Sequence, residues 1–126
     1  MRVTSYRMPR SKQNKNKYGN RKIVIDGISF DSVKEGNHYI ELKYRMAAGE
    51  IDNLEVHKPF ELQPSFRDRD GKWVRPITYQ ADFVYTDLKT GKQIIEDVKS
   101  AATAKDQVYR LKKKMMMYNG LYIDEV

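Results

Sequence analysis

Apolar and polar positions alternate in short stretches near the start of the chain and through its middle, and recur at helical spacing in two longer segments. Ile23-Val24-Ile25 and Ile28-Ser29-Phe30 flank Asp26-Gly27, which predicts a hairpin because Asp-Gly supplies the positive φ a tight turn requires. A helix is predicted next, capped by Asp31 or Ser32 and running through Ala48 to a stop at Gly49. At about 100° per residue, Lys34, Asn37, His38, Glu41 and Arg45 share a polar arc, while Val33, Tyr39, Ile40, Leu42, Tyr44, Met46 and Ala47 fill most of the rest. Glu35 falls among Tyr39, Leu42 and Met46. A strand-rich middle follows: Leu54 to Leu62 with a break at Pro59, a polar turn at Asp68-Arg69-Asp70-Gly71, then Trp73 to Tyr85 interrupted by Pro76. The chain reverses over Thr86 to Lys92 and returns as a strand over Gln93 to Lys99. A second helix, from about Asp106 to Tyr118, presents Val108, Leu111, Met115 and Tyr118 at helical spacing and ends at Asn119-Gly120. Leu121-Tyr122-Ile123 reads as a last short strand. Hairpin, helix, several strands, helix and strand make a mixed α/β (α+β) domain.

At 126 residues the chain is one ordinary domain, and with 40% hydrophobic residues it can bury a core. No uncharged apolar run approaches the roughly 20 residues of a membrane-spanning helix, and no apolar leader opens the chain, so a cytoplasmic protein away from membranes is expected. The absence of cysteine removes disulfides, thiolate nucleophiles and Cys-ligated zinc together, and two histidines alone do not make a zinc site. A metal here would be a hard cation held by carboxylates.

The net charge of +7 is unevenly placed. Arg2, Arg7, Arg10, Lys12, Lys15, Lys17, Arg21 and Lys22 open the chain without an acid among them, and the other 16 bases face 17 acids. The division expected is therefore a flexible basic tail over residues 1–17 and a single domain over 18–126. Such an arm suits a phosphate backbone, with a solubilising appendage as the alternative. A second basic run surrounds Lys105, Arg110, Lys112, Lys113 and Lys114 on the second predicted helix, where it also reads as a solvated helix face.

The chemistry concentrates in the hairpin of Tyr79-Gln80-Ala81-Asp82-Phe83-Val84-Tyr85 and Gln93-Ile94-Ile95-Glu96-Asp97-Val98-Lys99. A turn centred between Lys89 and Thr90 sets Asp82 across from Asp97, with Lys99 on the same face by strand alternation. Facing carboxylates repel unless a cation or a proton lies between them, and a divalent metal resolves the conflict. Glu96 points the other way, although a single bulge would exchange it with Asp97. The alternative is an exposed hairpin face on which Asp97 pairs with Lys99. Glu35 likewise has two readings: an inward acid with a partner, or the last member of a capping box begun by Ser32.

Glu35 on an opening helix, Ala81-Asp82 on a strand and Asp97-Val98-Lys99 on its return strand resemble the PD-(D/E)XK nuclease signature. Asn16-Lys17-Tyr18-Gly19-Asn20, Phe30-Asp31-Ser32-Val33-Lys34-Glu35 and Tyr79-Gln80-Ala81-Asp82-Phe83 are similar to a family of small phage proteins assigned to that superfamily, over about residue 16 to the end. Ala81 stands where the superfamily name has proline, and Gly36 interrupts the helix at a cost of about 1 kcal/mol against Ala. The resemblance implies a restriction-endonuclease-like αβββαβ core, a central mixed sheet flanked by helices. It implies Mg²⁺-dependent hydrolysis of DNA phosphodiesters, with Mn²⁺ also supporting activity, and Glu35, Asp82, Asp97 and Lys99 as the catalytic set. Asp82, Asp97, the Val98 carbonyl and Glu35 would hold metal, and Lys99 would orient the attacking water and stabilise developing charge. By analogy with resolvases of Holliday junctions and other branched DNA in phage recombination or replication, it also implies a homodimer in the host cytoplasm. The DNA-contacting residues expected are Arg7, Arg10, Lys12, Lys15, Lys17, Arg21, Lys105, Arg110, Lys112 and Lys113. A non-catalytic nucleic-acid-binding module that uses the basic tail is the alternative.

Other residues carry less. His57, near the Pro59 break, reads as a partly buried strand residue, Asp68 and Asp70 read as turn residues, and Met115 to Met117 read as core or interface filler. Trp73 and the nine tyrosines suit base stacking and sheet cores alike.

Overall fold

A computed structural model of the chain describes residues 21–126. The tail expected over residues 1–17, including Arg7, Arg10, Lys12, Lys15 and Lys17, lies outside the described residues. The chain divides into Met1–Asn37 and His38–Val126.

In the first of these, β1 (Ile23–Ile25) and β2 (Ile28–Phe30) pair antiparallel through Asp26 and Gly27, whose φ angles of 54° and 75° are those of the expected tight turn. Phe30 at its end is fully buried. Helix α1 (Val33–Ala47) starts with the Glu35 N–H donating to Ser32 Oγ at 3.0 Å. A Cβ on Gly36 would lie 2.4 Å from Ile23 Cδ1 and 3.0 Å from Ile25 Cδ1, so the hairpin isoleucines lie against the helix where it has no side chain. That close approach is what offsets the propensity lost to glycine.

From His38 onward, α1 runs to Ala47 and stops before Gly49, whose φ is 79°. Strands β3 (Ile51–Gln63), β6 (Ile77–Asp87), β7 (Gln93–Asp97) and β8 (Ile123–Glu125) form one mixed sheet in the order β3-β6-β7-β8. Only the β7–β8 pair is parallel. A short helix α2 (Ala101–Ala104) and α3 (Gln107–Tyr118) make the crossover that a parallel pair requires. Between β3 and β6, the two-residue strands β4 (Phe66–Arg67) and β5 (Trp73–Val74) form a separate small hairpin. The order α1, β3, β6, β7, α3, β8 is the αβββαβ succession, and the central mixed sheet agrees with the fold class expected.

One sheet face gathers Val84, Ile95 and Ile123, paired across β6, β7 and β8, against Tyr109 and Met116 of α3. The other gathers Phe83, Tyr85 and Glu96, with Tyr39 of α1 stacked on Phe83 at 6.4 Å and His38 edge-on to it at 5.4 Å. Burying side chains such as Phe83, Val84 and Met116 contributes about 1.5–3 kcal/mol each.

Three expectations need correction. Pro59 does not break its strand: β3 is an edge strand, where a residue without an N–H is tolerated. The buried face of α3 is Tyr109 and Met116, whereas Val108, Leu111 and Tyr118 are exposed, because the sheet meets the helix one residue around from the stripe its spacing suggested. On α1, Ile40 and Tyr44 are exposed, and the polar-arc residue His38 is mostly buried by Glu96 and Phe83.

Candidate functional site

The β6–β7 ladder runs without a register shift from Thr86↔Gln93 to Phe83↔Glu96, so its next step sets Asp82 opposite Asp97. The turn centre read from the sequence gives the same register. At that step a side chain replaces the main-chain rung: Val98 N–H donates to the Asp82 carboxylate at 2.8 Å. Asp97 is buried, at 4% exposure. One of its oxygens accepts the Tyr79 hydroxyl at 2.5 Å and the other lies 3.1 Å from Lys99 Nζ. The Lys99 ammonium lies 4.0 Å from the centre of the Tyr109 ring, which adds a cation–π contact.

The main chain around Asp97 is fixed as firmly. Its carbonyl accepts Val126 N–H, and Lys99 N–H donates to the Val126 carbonyl, both at 3.0 Å. Burial first, and then the Asp97 carboxylate, pushes the Tyr79 phenol well above its ordinary range, so it stays protonated and donates. Burial and the bond to Glu125 do the same for Tyr109, whose hydroxyl donates to that carboxylate at 2.7 Å. The Asp97–Lys99 pair of the alternative reading thus exists, but it is a buried pair beside a second carboxylate strand and not an exposed hairpin face.

Glu96 belongs to the other face. Its two oxygens meet His38 Nε2 and the Tyr85 hydroxyl, each at 2.7 Å. With no bulge in this ladder, Asp97 and not Glu96 shares a cluster with Lys99.

His57 joins from β3, which sequence reasoning missed. Val56 pairs with Phe83 and Lys58 with Ala81, so His57 stands opposite Asp82. The two residues bring ligand atoms within 4.8 Å of one another. Its φ of 57° is left-handed, a conformation uncommon outside glycine and concentrated at sites where geometry outweighs strain. Nothing in strand periodicity marks such a residue.

The expected residues divide as follows. Asp82, Asp97, Val98 and Lys99 come together, with Val98 contributing its amide to Asp82. Glu35, one turn before His38 on α1, is buried at 4% and accepts Asp31 N–H at 3.1 Å, a cap reaching one residue beyond the expected box. Arg21, Lys105 and Arg110 are exposed, Lys112 is half-buried, and Lys113 donates to Glu125 at 2.7 Å.

A family model described as a protein of unknown function, DUF1064, matches residues 15–125. The chain belongs to the DUF1064 family. No curated protein and no solved structure matches it. In this DUF1064 chain the matched span includes every described element from β1 to β8, and with them the Asp82–Asp97–Lys99 cluster. The Asp82 carboxylate and the His57 imidazole, whose ligand atoms the structure brings together, are donors of the kinds that Mg²⁺ and Mn²⁺ accept.

Proposed function

We propose that this chain is a metal-dependent DNA endonuclease that hydrolyses phosphodiester bonds, selective for branched DNA and active as a homodimer. The observation that carries the reading is a buried carboxylate, Asp97, opposite a second, Asp82, with the Lys99 ammonium 3.1 Å from Asp97. A bound Mg²⁺ would polarise a phosphoryl oxygen and lower the pKa of a bound water. Asp82 and Asp97 would hold it with the Val98 carbonyl, and Glu35 would complete or position the ligand shell. Val98 N–H orients Asp82, and the Tyr79 hydroxyl orients Asp97. Lys99 then donates to the attacking water or to a phosphoryl oxygen as charge grows there, its ammonium steadied by the Tyr109 ring. The attacking water would give up a proton to solvent as its oxygen bonds to phosphorus, one ester P–O bond would break, and the leaving oxygen would take up a proton from a solvent water. Basic residues of the N-terminal segment, with Lys105 and Arg110, would hold the phosphate backbone.

The test is incubation of the full chain with labelled four-way junction, duplex and single-stranded DNA, with Mg²⁺, Mn²⁺ or EDTA. Cleavage with either ion that EDTA stops, and that is strongest on the junction, is the expected result. Cleavage that persists in EDTA overturns the metal mechanism. Binding without cleavage of any substrate favours a non-catalytic nucleic-acid-binding module.

A further inference from the structure

The β4–β5 hairpin follows the β3–β6 arm beyond its last pair, Gln63↔Ile77, and forms a two-stranded sheet of its own. It carries the chain's single tryptophan. Trp73 is 63% exposed, and Phe66, on the paired strand, is 44% exposed. Two large exposed aromatics on a four-residue sheet cost hydrophobic free energy in solution and have no core to serve.

The surroundings of Trp73 are built rather than incidental. The Arg67 guanidinium lies 4.3 Å from the centre of its ring, and the same guanidinium donates to the Gly71 carbonyl at 2.8 Å. The turn beneath is fixed by Asp68, whose carboxylate accepts the Asp70 and Lys72 amides at 2.8 and 2.9 Å. An indole with one face covered by arginine and most of its surface in solvent presents its other face. Arg67, Arg69, Lys72 and Arg75 are all exposed here against one exposed acid, Asp70, so the hairpin joins a flat aromatic surface to positive charge. That pairing fits a nucleobase stacked on the ring with its phosphates on the arginines and lysine.

We infer that Trp73, braced by Arg67, is a stacking platform for an unpaired base of the nucleic acid, set apart from the Asp82–Asp97 cluster. Ile77, where the arm's ladder ends, is five residues from Asp82 along β6, about 17 Å at strand rise. The inference rests on the proposed DNA substrate and deepens it: a base freed at a branch point, and not a base inside a duplex, exposes the face that stacks.

Because there is one tryptophan, its emission reports this site directly. The full chain is titrated in EDTA, where no metal-dependent cleavage occurs, with a single-stranded oligodeoxynucleotide and with a blunt duplex of the same sequence. Anisotropy of a label on the DNA follows binding in parallel. The single strand should quench Trp73 as it binds, and the duplex should bind while leaving the emission near its free value. Trp73→Ala should weaken single-strand binding about tenfold, and Trp73→Phe should retain most of it. Single-strand binding with unchanged emission, equal quenching by the duplex, or failure of either DNA to bind overturns the inference. So does emission that shifts with protein concentration alone, which would make a second copy the occupant. Loss of stacking with metal-dependent cleavage intact refutes this inference alone. Stacking without cleavage leaves it standing and refutes the nuclease reading.

Discussion

The Val98 N–H donates to the Asp82 carboxylate across 2.8 Å, so a side chain closes the β6–β7 ladder where the candidate site begins. The same carboxylate therefore has a structural duty and a proposed chemical one, and the two can be separated.

Asp82→Asn keeps an acceptor for Val98, so its unfolding free energy should stay close to wild type while metal-dependent cleavage is lost. Asp82→Ala leaves a partly buried amide without a partner and should also destabilise by about 1–3 kcal/mol in urea. Asp97→Asn should abolish cleavage with DNA affinity equal or higher, since it removes negative charge facing a phosphate. Full activity in either Asn variant would remove that residue from the metal site.

Glu35→Gln retains an acceptor for Asp31 N–H and should fold normally. If Glu35 positions metal, cleavage falls by orders of magnitude. A stable, fully active variant would leave the cap as its role.

His38→Ala removes one of two hydrogen-bonding partners from the buried Glu96 and should cost about 1–3 kcal/mol, read by urea denaturation. Combined with Glu96→Gln the losses should be less than additive, because both act on one bond. Strict additivity would contradict the contact.

The Glu125 carboxyl is held below its ordinary value of 4.5 by the hydrogen bond from Lys113 and then by that from Tyr109. A group with a lowered folded pKa stabilises above its unfolded pKa, and that contribution disappears as pH falls through the folded value. Wild type should thus exceed Lys113→Ala in stability at neutral pH, and the gap should close below pH 4.5 in an acid titration followed by circular dichroism. A gap independent of pH would assign the effect to packing of the lysine stem.

Deleting residues 1–15 removes five bases. With about −0.9 in the slope of log affinity against log salt for each phosphate neutralised, the slope should flatten by roughly 3 and affinity should fall for every DNA structure. Cleavage at saturating DNA should persist. An unchanged slope would move the binding surface to the bases of α3.

Local chemistry was legible in the sequence where it decides structure by itself. Asp26-Gly27 makes its hairpin, α3 begins after Asp106 and ends at Asn119, and the Lys89–Thr90 turn centre carries Asp82 to Asp97. What escaped depends on partners distant in sequence. Glu96 lies 58 residues from His38, so a helical wheel places that histidine on a polar arc although its bond points inward. The approach of His57 to Asp82 depends on the β3 register, which shifts by one residue between Asp52 and Glu55, beside the left-handed Asn53. Helix α2 has only four residues, too few to show a period.

Strand β3 borders the sheet with its backbone hydrogen-bonding edge toward the outside, yet Asn53 and His57 both take left-handed φ and Pro59 lacks an N–H altogether. An incoming strand would meet these irregularities along the middle of that edge, and β8 at the opposite border is only three residues long. The borders are therefore poor templates for edge-to-edge growth, which protects a chain of this composition from runaway β-aggregation. It also disfavours joining two copies of the four-stranded sheet edge to edge, and leaves exposed side chains such as Val108, Leu111 and Tyr118 of α3 as another surface for pairing.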